Sequence, residues 1–225
     1  MKKKSVIAIN LCLIASIVTL FGNKIYMLYI GDCHQLWEEA QTHYVNRQYE
    51  KARELLEKIA HIDTAHHAQY LTGDMYLKGL GGEIDYDKAF RYYSMAAAQK
   101  DNVAINNLGS LYYSGIGTEK DYLKAATLFD EAAKLGNVEA SVNLAFIYLS
   151  GSNVGKNSRA AMELFKKAAG KGNPTAKFML GYAYYKGFIY PQDYGKAVKL
   201  IREAANAEYS EAQYVLAEMY LNGHG

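Results

Sequence analysis

The sequence predicts an all-α fold: a right-handed α-solenoid of helix-pair repeats with a 36-residue period, behind an N-terminal membrane-anchor or signal helix. Three observations predict it. Identical residues return every 36 positions, as in Tyr76, Tyr112, Tyr148, Tyr184 and Tyr220, and in Gly79, Gly115, Gly151, Gly187 and Gly223. Ala68, Ala104, Ala140, Ala176 and Ala212 keep the same register, and a fixed period in this range marks a stacked repeat array. Within one period, Ala104, Leu108, Leu111 and Tyr112 fall at i, i+4, i+7 and i+8, which is one face of an α-helix. The chain has only 2 prolines in 225 residues, which suits helices throughout.

Residues 1–31 stand apart. Lys2, Lys3 and Lys4 precede an apolar run from Val6 to Phe21. A basic head before such a run is a secretory signal or a membrane anchor. Cleavage wants small residues one and three positions before the cut. Ending at Gly22 puts Leu20 at the far position, and ending at Gly31 puts Tyr29 there. Apolar character resumes at Ile25 to Ile30, past Lys24, whose long stem can snorkel. A helix of about 20 residues crosses a bilayer. An uncleaved anchor is therefore favoured over a signal. The basic head then stays cytoplasmic and the repeats lie outside, in the periplasm of a two-membrane bacterium. The alternative is secretion after signal cleavage. Neither Cys12 nor Cys33 follows a small residue, which speaks against lipidation.

Residues 32–64 read as a capping helix pair. Ala40 and Tyr44 lie on its first helix, and Tyr49, Ala52, Leu55, Leu56 and Ile59 on its second. The tight Asn46-Arg47-Gln48 link and the Lys51-Ala52 pair resemble a tetratricopeptide repeat.

Residues 65–225 read as four full repeats and a half repeat. In the second repeat, Gly115 and Gly117 break the first helix, and Asp121 caps a second whose stripe is Ala125, Phe129, Ala132 and Ala133. Gly136-Asn137 is expected to end that helix in the left-handed conformation. Gly73, Gly109, Ala145, Gly181 and Ala217 form a column that never exceeds a methyl group, so two helix backbones are expected to approach there. A lone helix pair cannot bury its apolar face, so the units must stack. The third repeat departs most: Asn153 replaces a loop glycine and Asn157-Ser158 replaces Asp-Tyr, so its loop is expected to be less regular. The fourth carries an apolar loop, Phe188-Ile-Tyr-Pro191.

The pattern Ala…Leu-Gly-x-x-Tyr-x-x-Gly-x-Gly…Asp-Tyr-x-Lys-Ala…Ala-Ala-x-x-Gly-Asn over Ala104–Asn137 resembles the Sel-one-like repeat, a relative of the tetratricopeptide repeat. The resemblance covers about Ala65 to Gly225. It implies the fold and says almost nothing of function.

Charge and motifs exclude several classes. The first 31 residues hold Lys2, Lys3, Lys4 and Lys24 and no acid, which leaves 21 of the 25 basic residues against all 23 acids. That balance offers no basic stripe for nucleic acid. No nucleophile motif, phosphate loop or zinc spacing occurs; Gly79-Leu-Gly81-Gly82 is a repeat loop. His43, His61, His66 and His67 raise a metal reading, but no cysteine or paired carboxylate completes a set, so no metal, cofactor or catalytic residue is assigned. With at most Cys12 and Cys33 to pair, the array holds itself by packing.

In tetratricopeptide-like arrays the first helices line a concave side, and the resemblance places residues there. They are Tyr70 and Asp74, with Leu77 and Lys78, in the first repeat, and Asn106 and Tyr113, with Ser110 and Ser114, in the second. The third supplies Val142, Phe146 and Leu149, and the fourth Phe178, Tyr182, Tyr185 and Lys186, with Tyr214 and Glu218 extending the row. Tyr112, Tyr148, Tyr184, Phe129 and Phe165 are expected in the core instead. Such a row either packs adjacent first helices together or forms a binding groove, and an aromatic stripe on a concave face favours the groove. The expected function is a non-enzymatic scaffold that binds a protein through this groove, at the outer face of the cytoplasmic membrane. The alternative implied by the resemblance is an immunity protein that neutralises a secreted antibacterial toxin such as a phospholipase. A cell-wall-processing or hydrolytic enzyme ranks behind both.

Overall fold

The computed structural model describes residues 33–61, 65–151 and 154–225. Among them are eleven helices and no strand: α1 (33–45), α2 (Tyr49–Ala60), α3 (His66–Lys78), α4 (Tyr86–Ala98), α5 (Asn102–Ser114), α6 (Tyr122–Lys134), α7 (Val138–Ser150), α8 (Ser158–Gly170), α9 (Pro174–Lys186), α10 (Tyr194–Asn206) and α11 (Ser210–Leu221). The expected anchor lies outside the described residues. No helix among the described residues is long and apolar enough to cross a membrane.

The chain divides into two compact units, one ending at Ile84 and one spanning Asp85–Gly225. In the first, α1, α2 and α3 bury Leu56, Ile59 and Met75 around Ala40, Ala52 and Ala68, with Trp37, Tyr44 and Tyr49 packed against them. The Arg47 link turns at φ 59, which lets α2 fold back after three residues. Arg53 lies over the Tyr76 ring, 4.8 Å from its centroid, and the Tyr76 hydroxyl donates to Glu57 at 2.5 Å.

The second unit is a linear array in which each helix from α4 to α11 packs on the next in chain order. Its helix ends repeat as strictly as its sequence. The second helices α4, α6, α8 and α10 are capped by Asp85, Asp121, Asn157 and Asp193, whose side chains accept from the backbone N–H three residues on. The first helices α5, α7 and α9 end on Gly115, Gly151 and Gly187, all left-handed at φ near 70. Between them, the N–H of Asp121, Asn157 and Asp193 donates to the carbonyls of Tyr112, Tyr148 and Tyr184 at 2.9, 2.9 and 3.0 Å. The third repeat therefore keeps its frame despite the Asn157-Ser158 exchange; residues 152–153 of its loop lie outside the described residues.

Two expectations are corrected here. Asn137 does not end α6. It caps α7, accepting from the N–H of Ala140 at 2.8 Å, as Asp101 caps α5 and Asn173 caps α9. A side-chain oxygen satisfies an orphan N–H better than it serves in a left-handed turn. Gly136 does take the left-handed turn after α6, at φ 98, as expected of the glycine. The small column also has a different cause. A Cβ on Gly109 would stand 2.8 Å from the ring of Phe129, and one on Gly181 would stand 2.7 Å from Ile201 Cγ1. What fills the space at these two positions is chiefly a bulky side chain of the second helix, and at Gly181 backbone also comes near, with Ala197 oxygen at 3.2 Å.

The core follows the same period. Ala125, Phe129 and Ala132 of α6, Ala161, Phe165 and Ala168 of α8, and Ala197, Ile201 and Ala204 of α10 are all buried. Ala133 is only half-buried. The apolar loop of the fourth repeat packs Phe188 and Tyr190 against the cluster around Phe165, and Tyr190 stacks on Tyr184 at 4.9 Å. Ile189 between them is left-handed at φ 70 and 42% exposed.

Candidate functional site

The first helices carry the candidate surface. Among the predicted residues of the second unit, Tyr113, Phe146, Lys186 and Tyr214 are exposed and Phe178 and Tyr182 half-buried. Tyr70 is also half-buried, on α3 in the first unit. Asp74, Asn106, Val142 and Tyr185 are buried. Their burial corrects the accessibility expected of them, and each has a physical reason. Asp74 is engaged by Lys78 one turn on, at 2.8 Å, which also holds the Lys78 ammonium above its ordinary range. Asn106 accepts from the Asn143 amide at 3.0 Å, so this position faces the next first helix. Val142 belongs to the Phe165 cluster.

Tyr185 is the largest departure. It is 5% exposed, whereas Tyr184 is half-buried. The rings of Tyr182, Tyr194 and His224 surround it at 6.3, 5.9 and 5.9 Å, and its hydroxyl donates to Glu218 at 3.2 Å. Burial first, and the Glu218 charge second, raise the Tyr185 phenol above its ordinary range. The Tyr112 column is partly a face for ammonium groups. Lys124 lies 4.3 Å over the Tyr112 ring and Lys196 5.2 Å over Tyr184. Tyr112, Phe129 and Phe165 are buried as expected, and Tyr148 is half-buried.

The accessible residues do not form one patch. Tyr113 and Phe146 line one cleft and Phe178, Tyr182 and Tyr214 another, while Lys186 lines neither. Ser110, Tyr113 and Ser114 of α5 and Asn143 and Phe146 of α7 line a cleft of about 270 Å³ over the Phe129 ring. Phe178, Met179 and Tyr182 of α9 and Ser210, Glu211, Tyr214 and Val215 of α11 line a more open one of about 590 Å³. Phe146 is also tied to the core by an edge-on contact with Phe165 at 5.3 Å. Asn143, Glu211 and Met179 were not among the predicted site residues. Their signal was present in the sequence, because each lies three residues, about one helical turn, before a predicted residue of its own helix: Phe146, Tyr214 and Tyr182.

His43, His66 and His67 sit elsewhere, in the first unit. His43 Nδ1 is 2.5 Å from Gln48 Oε1 and its Nε2 3.7 Å from Glu39. His66 and His67 open α3 with their Nδ1 atoms 2.8 Å apart.

Comparisons with known proteins agree with this geometry. The model of the Sel1 repeat matches residues 39–61, 66–101, 102–137, 138–173, 174–209 and 210–225. It thus includes most of the α1–α2 pair. A Sel1 repeat protein from Oxalobacter formigenes has a similar structure, with TM-score 0.78, 27% identity and coverage of 83% of this chain and 76% of that one. A protective antigen of uropathogenic Escherichia coli strains, described as displaying an SLR fold, matches with TM-score 0.50 and 24% identity. The match covers 84% of this chain and 49% of the antigen, so this chain spans about half of that protein's length. An immunity protein from Pseudomonas aeruginosa shares the fold, with TM-score 0.53, 19% identity and coverage of 77% of this chain and 65% of that one. No curated protein matches. On its repeats, its caps and the match across most of its length, the chain belongs to the Sel1 repeat family.

Proposed function

We propose that this chain is a non-enzymatic scaffold that binds a protein partner along its first helices, tethered outside the cytoplasmic membrane by residues 1–31. The observation that carries the reading is the pair of clefts on α5/α7 and α9/α11, each edged by aromatic rings left in water. Tyr113, Phe146 and Tyr214 are 40%, 38% and 73% exposed, although the same helices bury apolar residues completely on their other faces. Interface energy concentrates on such aromatic anchors. Membership of a repeat family of stacked helix pairs supports a binding role, since stacking creates extended surfaces for partners. The tether rests on the basic head and apolar run of the sequence.

A photo-crosslinking amino acid placed at Phe146 or Tyr214 in cells tests this. The expected result is a discrete crosslinked species of defined mass at both positions, and none at Lys167 on α8. Equal labelling at Lys167, or none at the two clefts, overturns the reading.

The sharper version is immunity against a secreted toxin. It is supported by the fold shared with the Pseudomonas aeruginosa immunity protein and by the expected location. The likeness is one of fold, so it supplies a kind of partner to test. Co-expression with a toxin encoded beside this gene should restore growth, and unchanged killing would remove this version.

A further inference from the structure

The two clefts differ in charge. No charged side chain lines the α5/α7 cleft, whereas Glu211 lines the α9/α11 cleft among Phe178, Met179, Tyr182 and Tyr214. The Phe178 ring sits between Tyr182 at 5.6 Å and Tyr209 at 5.3 Å, so three rings turn toward one another beside the carboxylate. Glu211 is close enough to Tyr209 to help raise its phenol above the ordinary range, after burial. Ring faces attract cations, and a carboxylate at the rim adds direct Coulomb attraction in a partly dry cleft. This array already uses its tyrosines so: the Lys186 ammonium stands 4.3 Å over Tyr185 and 5.5 Å from the Tyr182 centroid.

We infer that the α9/α11 cleft receives a cationic side chain of the protein partner, and specifically an arginine. The inference rests on the scaffold reading and adds the chemistry of one contact. A guanidinium is planar, so it can stack on Phe178 or Tyr214 and pair with Glu211 at once, whereas an ammonium must choose. The opposing charges are Lys177, next to Phe178 in the first turn of α9 and already paired with Glu203 at 2.9 Å, Lys186 at the far end of α9, and the positive end of the α11 helix dipole. Glu211 in the first turn of α11 and the exposed Glu208 before it stand against them. Lys186 is already held over its own two rings.

The test uses the full chain in detergent micelles with methyl-labelled methionine, because Met179 lines the cleft and the other methionines serve as references. The probe is an end-capped pentapeptide with one central arginine, compared with its citrulline twin, which has nearly the same shape and no charge. The arginine peptide should shift the Met179 methyl signal, and the twin should bind about tenfold more weakly. Glu211→Gln should weaken the arginine peptide to the level of the twin and leave the melting temperature unchanged. Equal binding of the two peptides, no Met179 shift at millimolar peptide, or no effect of Glu211→Gln overturns the inference. Crosslinking at Phe146 in the Glu211→Gln chain separates the two claims: if it persists while arginine preference is absent, only the cleft chemistry fails, and if it is lost in the unaltered chain, the scaffold fails.

Discussion

The Tyr185 hydroxyl donates to the Glu218 carboxylate across 33 residues of chain, joining the end of α9 to the last turns of α11. This contact, with the rings of Tyr194 and His224 around it, marks which of three neighbouring tyrosines is structural. Tyr185 is enclosed, while Tyr182 and Tyr184 keep part of their surface in water. Truncating a buried aromatic side chain costs about 3–5 kcal/mol. Tyr185→Ala should therefore lower unfolding stability in urea by about 3 kcal/mol, and Tyr182→Ala by about 1 kcal/mol, in keeping with its half-burial. Tyr185→Phe should lose only the hydrogen bond, about 1 kcal/mol. Equal losses for Tyr182→Ala and Tyr185→Ala would contradict the assignment.

The same burial sets a pH dependence. Tyr185, Tyr190 and Tyr209 all have phenols raised above the ordinary range, with burial as the first cause. A raised pKa means that the folded chain holds these protons more tightly than the unfolded chain does. Stability from this source is thus complete below the ordinary tyrosine value of about 10 and falls as pH rises through the folded values. Alkaline unfolding followed by circular dichroism should show the decline beginning near that pH. Tyr185→Phe should make the decline shallower, and an identical curve would count against the burial argument.

Gly109 has the Phe129 ring where a side chain would start. Gly109→Leu overpacks this contact and should cost about 1–3 kcal/mol. The column accepts a methyl group in the third repeat, where Ala145 is fully buried in the Phe165 cluster. Gly109→Ala should therefore be milder than Gly109→Leu. Since each repeat is held by its neighbours, hydrogen exchange should rise in α7 as well as in α5 and α6. An unchanged melting temperature for Gly109→Leu would mean that α5 and α6 can separate freely.

How much of this the sequence disclosed follows from periodicity. Caps, glycine C-termini and the alanine and phenylalanine stripes repeat at 36 residues, and each depends only on local backbone geometry, so Asp121, Gly115 and Phe129 were readable. The row of first-helix residues was harder, because successive helix residues differ by about 100° in direction and a small error of phase exchanges neighbours. Tyr184 and Tyr185 were exchanged in this way. What buries Tyr185 is Glu218 and His224 from the following half repeat, a pairing that the repeat pattern does not encode. The two clefts were illegible for a related reason: Val142 and Asn106 look like surface positions until the next first helix covers them.

Ile189 occupies the column of Gly117 and holds the left-handed φ of 70 that glycine adopts there at 65. A β-branched residue in that region is strained by about 1–2 kcal/mol. Glycine would relieve it but gain freedom in the unfolded chain, which returns about 0.5–1 kcal/mol. Ile189→Gly should therefore raise stability by a net of about 0.5–1 kcal/mol. Its side chain is 42% exposed, so the packing lost is partial and holds the net gain below the strain released. A lower melting temperature would show that Ile189 anchors the Phe188–Tyr190 loop through contacts rather than resisting it.

The last prediction concerns the α5/α7 cleft. Tyr113 is 40% exposed, and its ring meets Tyr122 edge-on at 5.2 Å, so it holds little of the core. Phe146 also touches Phe165, so its truncation mixes binding with packing. Tyr113 is therefore the cleaner probe. If the cleft is a contact surface, Tyr113→Ala should weaken capture of the crosslinked partner by the roughly 30-fold that a 2 kcal/mol anchor implies. Its melting temperature should stay within a few degrees of the unaltered chain. Phe146→Ala should lower both. Partner affinity unchanged by Tyr113→Ala but lost in Phe146→Ala together with stability would assign the effect to the fold of α7, and would remove the α5/α7 cleft from the binding surface.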